Sequence, residues 1–371
     1  MTALGQLREE LSRLKDIDRI LVAAVVPLMI IGVMSIYSAL AGKGGVAVDM
    51  ALKQSAWCAL GAVAFAAAFT FGHERTFKYG YWIYGGALLS LVTVLVAGYT
   101  AKGATSWFDF GAFRFQPSEP AKLALSIALA LFLCRYPPKT LASVAGAILL
   151  SSLVVVPVFL QPDLGGVVVY AFMIFVALVL AGMPRKYILL LAGVALLSLP
   201  LGWSMLKEYQ KLRMLVFLNP SIDPLGAGYN VIQSRIAVGA GGFFGKGFLQ
   251  GTQSRLHFLP EAHTDFVFSV FSEEFGFVGA SLVLALFAIL LWRMLRTAAR
   301  SNDPRARILV EAVSAWIWFQ LFEHIAMAVG IAPVTGLALP FVSYGGSSMV
   351  SLGAALGLVQ SVHVSSRPQY E

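Results

Sequence analysis

Charge is what this sequence has least of. Only 12% of its 371 residues are Asp, Glu, Lys or Arg, while 58% are apolar. A soluble domain carries roughly 25% charged residues, and mean hydropathy here is +0.78. So few charges cannot coat a water-facing surface, which excludes a soluble globular enzyme and makes lipid the solvent. Cysteine is almost missing too. Cys58 and Cys134 each fall inside an apolar run, with no metal-type spacing between them. That excludes a disulfide scaffold and a cysteine metal centre, and leaves two core or lipid-facing thiols. A cleaved leader is not expected, because Glu9, Glu10 and Asp16 precede a first apolar run without a small-residue cleavage site. The net charge of +8 does not point to nucleic acid, since the basic residues gather in alternate short loops.

What is present is a series of apolar runs. Crossing a bilayer takes about 20 mainly apolar helical residues. Candidate spans are Ile20–Leu40, Gln54–Phe71, Tyr81–Gly98, Glu119–Cys134, Leu141–Leu160, Leu164–Gly182, Tyr187–Met205, Asp265–Trp292, Ile308–Val329 and Ser343–Val364. The expected fold is an all-α polytopic membrane protein of about ten transmembrane helices. Residues 1–371 form one unit, with a large non-cytoplasmic loop over 206–264 between helices seven and eight. The run from Asp265 is long and contains Glu273 and Glu274, so a broken or tilted helix is expected there.

Orientation follows from the bias of Lys and Arg in short loops. Arg8, Arg13, Lys15 and Arg19 precede the first span. Counting forward by two spans reaches Arg75 and Lys78, then Arg135 and Lys139, then Arg185 and Lys186, then Arg293 to Arg307, and finally Arg367. The intervening connections hold few basic residues. Both termini, including segment 1–19, are therefore expected in the cytoplasm.

With that topology the polar motifs collect on the outer face, at the starts of even-numbered spans. Lys53-Gln54 opens the second, Gln116-Pro117-Ser118-Glu119 the fourth, Gln161-Pro162-Asp163 the sixth, His263-Thr264-Asp265 the eighth and Ser343-Tyr344-Gly345-Gly346 the tenth. Helix N-termini expose unsatisfied N–H groups and a partial positive charge, which suits a phosphate. Ordinary capping by Asp and Ser explains each motif taken singly just as well. Capping does not explain charges that continue into the helices. Glu119, Lys122 and Ser126 share one face of span four, and ionisable groups inside a bilayer mark function or a structural pair. Asp265, Ser269, Ser272 and Gly276 share a face of span eight, either a polar channel or a small-residue packing seam. Gln320, Glu323 and His324 on span nine read equally as a buried network or as a substrate contact.

In the outer loop, Gly239 to Gly247 fails as a P-loop: Ala240 takes the first Gly position, and Gly247 stands where Ser or Thr is needed. The loop reads instead as an ordered amphipathic loop, re-entrant or interfacial. Lys211, Arg213, Arg235 and Lys246 bring positive charge beside the membrane.

Three stretches carry a resemblance: Asp223-Pro-Leu-Gly-Ala-Gly-Tyr229, Gly245-Lys-Gly-Phe-Leu-Gln-Gly-Thr-Gln-Ser254 and Phe258-Leu-Pro-Glu-Ala-His-Thr-Asp-Phe-Val-Phe268. With Gln116–Glu119, Gln161–Gly165 and Pro340–Ser348, they resemble the SEDS proteins (shape, elongation, division and sporulation). The elongation branch is the nearer one. Gly166 stands where that family commonly has Thr, and Glu323-His324 where Asn is usual. The Glu-Ala before His263 is commoner in the division branch.

The resemblance implies a peptidoglycan glycosyltransferase that polymerises lipid II outside the cytoplasmic membrane during elongation. It also implies a class B penicillin-binding protein as transpeptidase partner, beside other elongation-machinery proteins and membrane lipids. Asp265 matches the family's essential aspartate, and Glu119 and Lys122 match polar residues of its central cavity. An inverting transfer then needs one base, Asp265. The expected substrate contacts are Glu119, Lys122, Lys53, Arg213, Arg235, Asp163, His263 and Ser343. No cofactor and no bound metal are assigned; magnesium or manganese stays open because pyrophosphate binds divalent cations, although no all-carboxylate cage is visible. Three other readings remain: the division or sporulation paralogue with the same chemistry; a lipid II flippase, which needs a polar route to both faces; and a non-catalytic scaffold, which needs no intramembrane Asp265, Glu119 and Lys122.

Overall fold

This computed structural model describes residues 16–101, 104–111, 113–256 and 258–366. The expectations placed on Glu9, Glu10, Arg8, Arg13, Lys15 and Arg367 lie outside these residues.

The apolar runs become helices with recognisable ends. The first, α1 (Arg19–Leu40), is capped by the Asp18 carboxylate, which accepts from the backbone N–H groups of Ile20 and Leu21. Then come α2 (Gly45–Phe71), a short α3 (His73–Lys78) and α4 (Gly80–Ala97). Next are α5 (Ser118–Arg135), α6 (Leu141–Leu160), α7 (Leu164–Leu180) and α8 (Arg185–Met205). The outer loop contributes α9 (Glu208–Leu218), α10 (Ala227–Ala240) and α11 (Thr252–Arg255). The chain closes with α12 (Val267–Arg300), α13 (Pro304–Val329) and α14 (Gly346–Ser365).

Eight of these helices are long and apolar enough to cross a membrane. With α5, which carries Glu119 and Lys122, and the 17-residue α7, they account for the ten expected runs.

Two boundaries differ from expectation. The second span begins at Gly45, well before Gln54, so Lys53 lies inside the helix and pairs with Asp49 one turn earlier at 2.8 Å. Ser343 and Tyr344 precede α14 and belong to the connection before it. The connection after α4 holds an element that was not anticipated, a small antiparallel sheet in the order β1 (Tyr99–Ala101), β2 (Ala104–Asp109), β3 (Arg114–Phe115). Its register pairs Tyr99 with Trp107 and Asp109 with Arg114.

Small residues set the closest helix contacts. A Cβ on Gly353 would fall 2.2 Å from the Gly61 carbonyl oxygen, and one on Gly357 would fall 2.3 Å from that of Phe65. The Gly-x-x-x-Gly spacing on α14 thus brings its backbone against α2, as small-residue seams do in membranes. By contrast α8 buries no residue at all.

The expected break lies in α12, at Gly276, with φ 63° and ψ −159°. Such a backbone is open only to glycine. At the break the glycine-rich loop takes over the helix's backbone partners. Lys246 and Gly247 N–H donate to the Glu273 and Glu274 carbonyls, and Phe277 and Val278 N–H donate to those of Gly242 and Phe243. The Glu273 carboxylate, wholly buried, accepts from Lys246 Nζ at 2.8 Å and from the Thr252 and Gln253 backbone. Glu274 accepts from Ser38 and from the Leu249 N–H. The two acidic residues in the middle of the long span therefore anchor the glycine-rich loop.

Candidate functional site

The site starts from three helix beginnings and two connections that meet at one end of the bundle. They enclose a cavity of about 420 Å³, lined by residues of β2, the starts of α5, α7 and α14, α9, the turn before α12 and the 333–338 segment after α13. Glu119, Lys122, Asp163, Arg213 and Asp265 all face it.

Asp265 follows a tight turn. The Thr264 and Asp265 N–H groups both donate to the Glu261 carbonyl, with Glu261 at φ 50°. The N-cap position of α12 is Phe266, and no side-chain cap closes that end. Asp265 stands one residue ahead of that cap position. Its carboxyl lies against Gly336: a Cβ there would be 3.5 Å from Oδ2.

Glu119 and Lys122 occupy the first turns of α5, one turn apart, and form an ion pair of 2.6 Å. The lysine is 1% exposed, and its ammonium stands 5.3 Å from the centre of the Trp316 ring, a favourable cation–π distance. Glu119 Oε2 has no hydrogen-bond partner among the described residues. Asp163 does cap its helix, accepting from the Gly166 N–H at 2.8 Å. A Cβ at Gly166 would come 2.7 Å from that carboxylate, so glycine gives the folded-back side chain its room. Burial pushes the Asp163 carboxyl above the usual carboxylate range, opposed by the Gly166 N–H and by Lys122. Arg213 on α9 donates to the Val334 carbonyl at 3.3 Å and is exposed.

The other four expected contacts lie outside the lining. Lys53 is exposed on α2 beside Asp49. Arg235 packs its stem on Gly330, where an added Cβ would sit 2.7 Å from its Cδ. His263 and Ser343 hold the site from behind. The Ser343 hydroxyl donates to the Thr264 carbonyl at 2.8 Å, and the Tyr344 N–H donates to that of His263 at 3.1 Å. These two bonds tie the turn bearing Asp265 to the connection before α14.

The polar face expected on span eight is a packing seam. Ser269 Oγ lies 2.7 Å from Ser234 Oγ, and a Cβ on Gly241 would strike the Ser272 carbonyl at 2.0 Å, so α10 closes over that face. Of the loop cations, Lys211 pairs with Glu208 and Lys246 with Glu273, which leaves Arg213 as the one of the four facing the cavity. Sequence reading missed Tyr170, whose buried hydroxyl donates to the Ser118 carbonyl at 2.7 Å, and Trp107 on the cavity wall. Among the described residues no three His, Cys, Asp or Glu side chains gather to hold a metal.

A lysine–carboxylate pair, a second carboxylate, an exposed arginine and helix N-termini around one cavity can hold a polyanion, and a separate carboxylate can take a proton. Comparison with known proteins agrees in kind. The profile of the FtsW, RodA and SpoVE family, described as cell cycle protein, matches residues 18–368. The chain is 41% identical over 284 residues to the peptidoglycan glycosyltransferase MrdB of Escherichia coli, covering 76% of this chain and 77% of that one. It superposes with a TM-score of 0.81 and 37% identity, over 95% of this chain and 99% of the other, on a chain from a structure described as the structural coordination of polymerization and crosslinking by a peptidoglycan synthase complex. The crystal structure of the rod shape determining protein RodA of Thermus thermophilus gives a TM-score of 0.71 at 33% identity, covering 96% and 98% of the two chains.

Proposed function

This chain belongs to the FtsW, RodA and SpoVE family and is a multi-pass membrane peptidoglycan glycosyltransferase; from that premise we propose that its cavity polymerises lipid II at the outer face of the cytoplasmic membrane, during elongation. Both chain ends then lie in the cytoplasm, a reading supported by the bias of Lys and Arg in the short loops, and residues 1–371 work as one unit.

The observation that carries the reading is the meeting of the Lys122–Glu119 pair, Arg213 and the Asp265 carboxyl on one cavity. Lipid II is a pyrophosphate on a polyprenyl tail, so its head needs cations at a membrane edge while its tail stays in lipid. Asp265 takes the proton of the acceptor 4-hydroxyl as that oxygen bonds to the anomeric carbon of the donor. The carbon–oxygen bond to pyrophosphate breaks with its electron pair, which inverts the centre. Lys122, Arg213 and the N-termini of α5, α7 and α14 stabilise the departing charge, and Glu119 orients Lys122. Below Lys122 the α5 side chains Leu125, Ile127, Ala128 and Leu129 are all buried. Polar groups gathered at one end of the bundle favour bond formation over transport, which needs a polar route to both faces. A class B penicillin-binding protein would cross-link the strand as it emerges, beside other proteins of the elongation machinery.

Purified protein in nanodiscs, given lipid II with and without the cross-linking partner, should yield glycan chains on a gel. Asp265→Asn should lower the rate by about 10²- to 10⁴-fold, the range for a lost general base, at an unchanged melting temperature. Polymerisation by Asp265→Asn at the parental rate would remove the base assignment. Movement of labelled lipid II across liposomes without polymer would favour a flippase.

A further inference from the structure

Two consecutive buried residues of α13 have no part in that scheme: Glu323, 5% exposed, and His324, with no exposed surface. A carboxyl and an imidazole inside a bilayer are costly and rarely idle. Both side chains reach the same piece of chain, the cavity wall formed by 333–338. Glu323 Oε1 accepts from the Thr335 hydroxyl at 2.5 Å. His324 Nδ1 lies 2.8 Å from the Leu337 carbonyl oxygen; a carbonyl only accepts, so Nδ1 carries the hydrogen. The helix thus grips positions two apart on the wall.

Between them stands Gly336, at φ +77°, the residue against which the Asp265 carboxyl lies. The wall is held from other sides as well. Arg213 donates to Val334, and Thr335 and Leu337 pack on Gly165, whose added Cβ would meet them at 3.2 and 3.0 Å. These contacts limit sliding of the segment, while the α13 pair fixes the turn at Gly336 itself.

Resting on the reading of Asp265 as base, we propose that Glu323 and His324 are positioning residues: they clamp Thr335 and Leu337 so that Gly336 forms a fixed backbone wall behind the Asp265 carboxyl. Catalysis is sensitive to such placement, since a shift of about 1 Å at a reacting group costs about 10²-fold. The clamp acts on the chemical step; Lys122, held by Glu119 one turn away on α5, is bonded outside this segment, and Arg213 touches the segment only through the backbone carbonyl of Val334.

The test measures kcat and KM for lipid II in nanodiscs, with melting temperature alongside. Glu323→Ala and Thr335→Val should each lower kcat about tenfold or more while KM stays within about twofold. Because they remove one shared bond, the double variant should be no slower than the worse single one. Glu323→Gln and Thr335→Ser keep an acceptor and a hydroxyl, and should restore kcat to within about threefold of the parent. Unchanged kcat in Thr335→Val, additive losses in the double variant, or failure of both conservative variants would each overturn the clamp. Asp265→Asn in the same assay separates the two ideas. If it is inactive while Thr335→Val is normal, the clamp alone fails; if it is active, the base reading fails.

Discussion

Lys122 Nζ sits 2.6 Å from Glu119 Oε1, with the lysine almost wholly enclosed by protein and Trp316 facing its ammonium. Breaking such a pair from one side leaves a charge without its counter-charge in a poor solvent, whereas removing both partners does not.

Glu119→Ala should therefore destabilise the protein by about 3–5 kcal/mol. Lys122→Met should cost less, because Glu119 borders the cavity. The double variant Glu119→Gln with Lys122→Met should regain most of the loss yet polymerise no lipid II. Thermal unfolding in detergent and product gels read the two effects separately. A double variant as unstable as Glu119→Ala would show that the pair's charge balance is not what holds this turn.

At the break in α12, a methyl group on Gly245 would fall 2.1 Å from the Glu274 carbonyl oxygen, and one on Gly276 2.3 Å from the Gly245 nitrogen. Both residues also have positive φ. Gly245→Ala and Gly276→Ala should each lower the melting temperature sharply, reflecting a stability loss of at least the ~1–3 kcal/mol that a strained backbone costs. Gly193→Ala on α8, where an added Cβ meets nothing within 4 Å, should leave it unchanged or slightly raised. Equal effects at all three positions would contradict the packing described.

The Lys246–Glu273 pair predicts an asymmetry. Lys246 is partly exposed and Glu273 is wholly buried, held also by the Thr252 and Gln253 N–H groups. Lys246→Met leaves those donors in place but removes the counter-charge of a wholly buried carboxylate, and should cost about 3 kcal/mol while the loop stays tied down. Glu273→Ala strands them and should cost about 3 kcal/mol or more. Limited proteolysis of the loop gives a second reading: cutting near Thr252 should accelerate in Glu273→Ala only.

Asp163 supplies a pH dependence. Its carboxyl is raised in the folded chain from the ordinary 3.8, so the folded state binds that proton more tightly than the unfolded state. Stability from this group is then complete below the ordinary value and declines as pH rises through the raised one. Asn can still cap α7. Asp163→Asn should match the parent in acid and exceed it near neutrality, in melting curves taken between roughly pH 4 and roughly pH 8. Parallel curves throughout would refute it.

Much of this was readable from hydropathy and loop charge, because a bilayer demands long apolar helices and penalises buried ions. Asp265, Glu119, Lys122 and Asp163, which line one cavity, stand out for that reason, as does the break near Glu273. Other features follow from tertiary contact. The start of α2 was placed too late, because Asp49 and Lys53 look like loop residues until their pairing across one turn is seen. The strand pairs between Tyr99 and Phe115 are too short to show an alternation. That Ser343 and the residue after it brace the backbone at His263 and Thr264, beside Asp265, shows only in the spatial neighbourhood. Glu323 gave no preference between network and site until Thr335, twelve residues on, appeared beside it.

Helix α8, which fully buries no residue within this chain, obeys a different rule from its neighbours. Tyr187, Ile188 and Leu191 near its start pack partly buried against the core, whereas residues 194–205 are all exposed and fit no hollow among the described residues. Selection for this fold therefore acts there on summed hydropathy and length, not on identity. Across relatives that stretch should exchange Leu, Val, Ala and Ile freely, while Gly353 and Gly357 on α14, pressed against another backbone, should hardly drift.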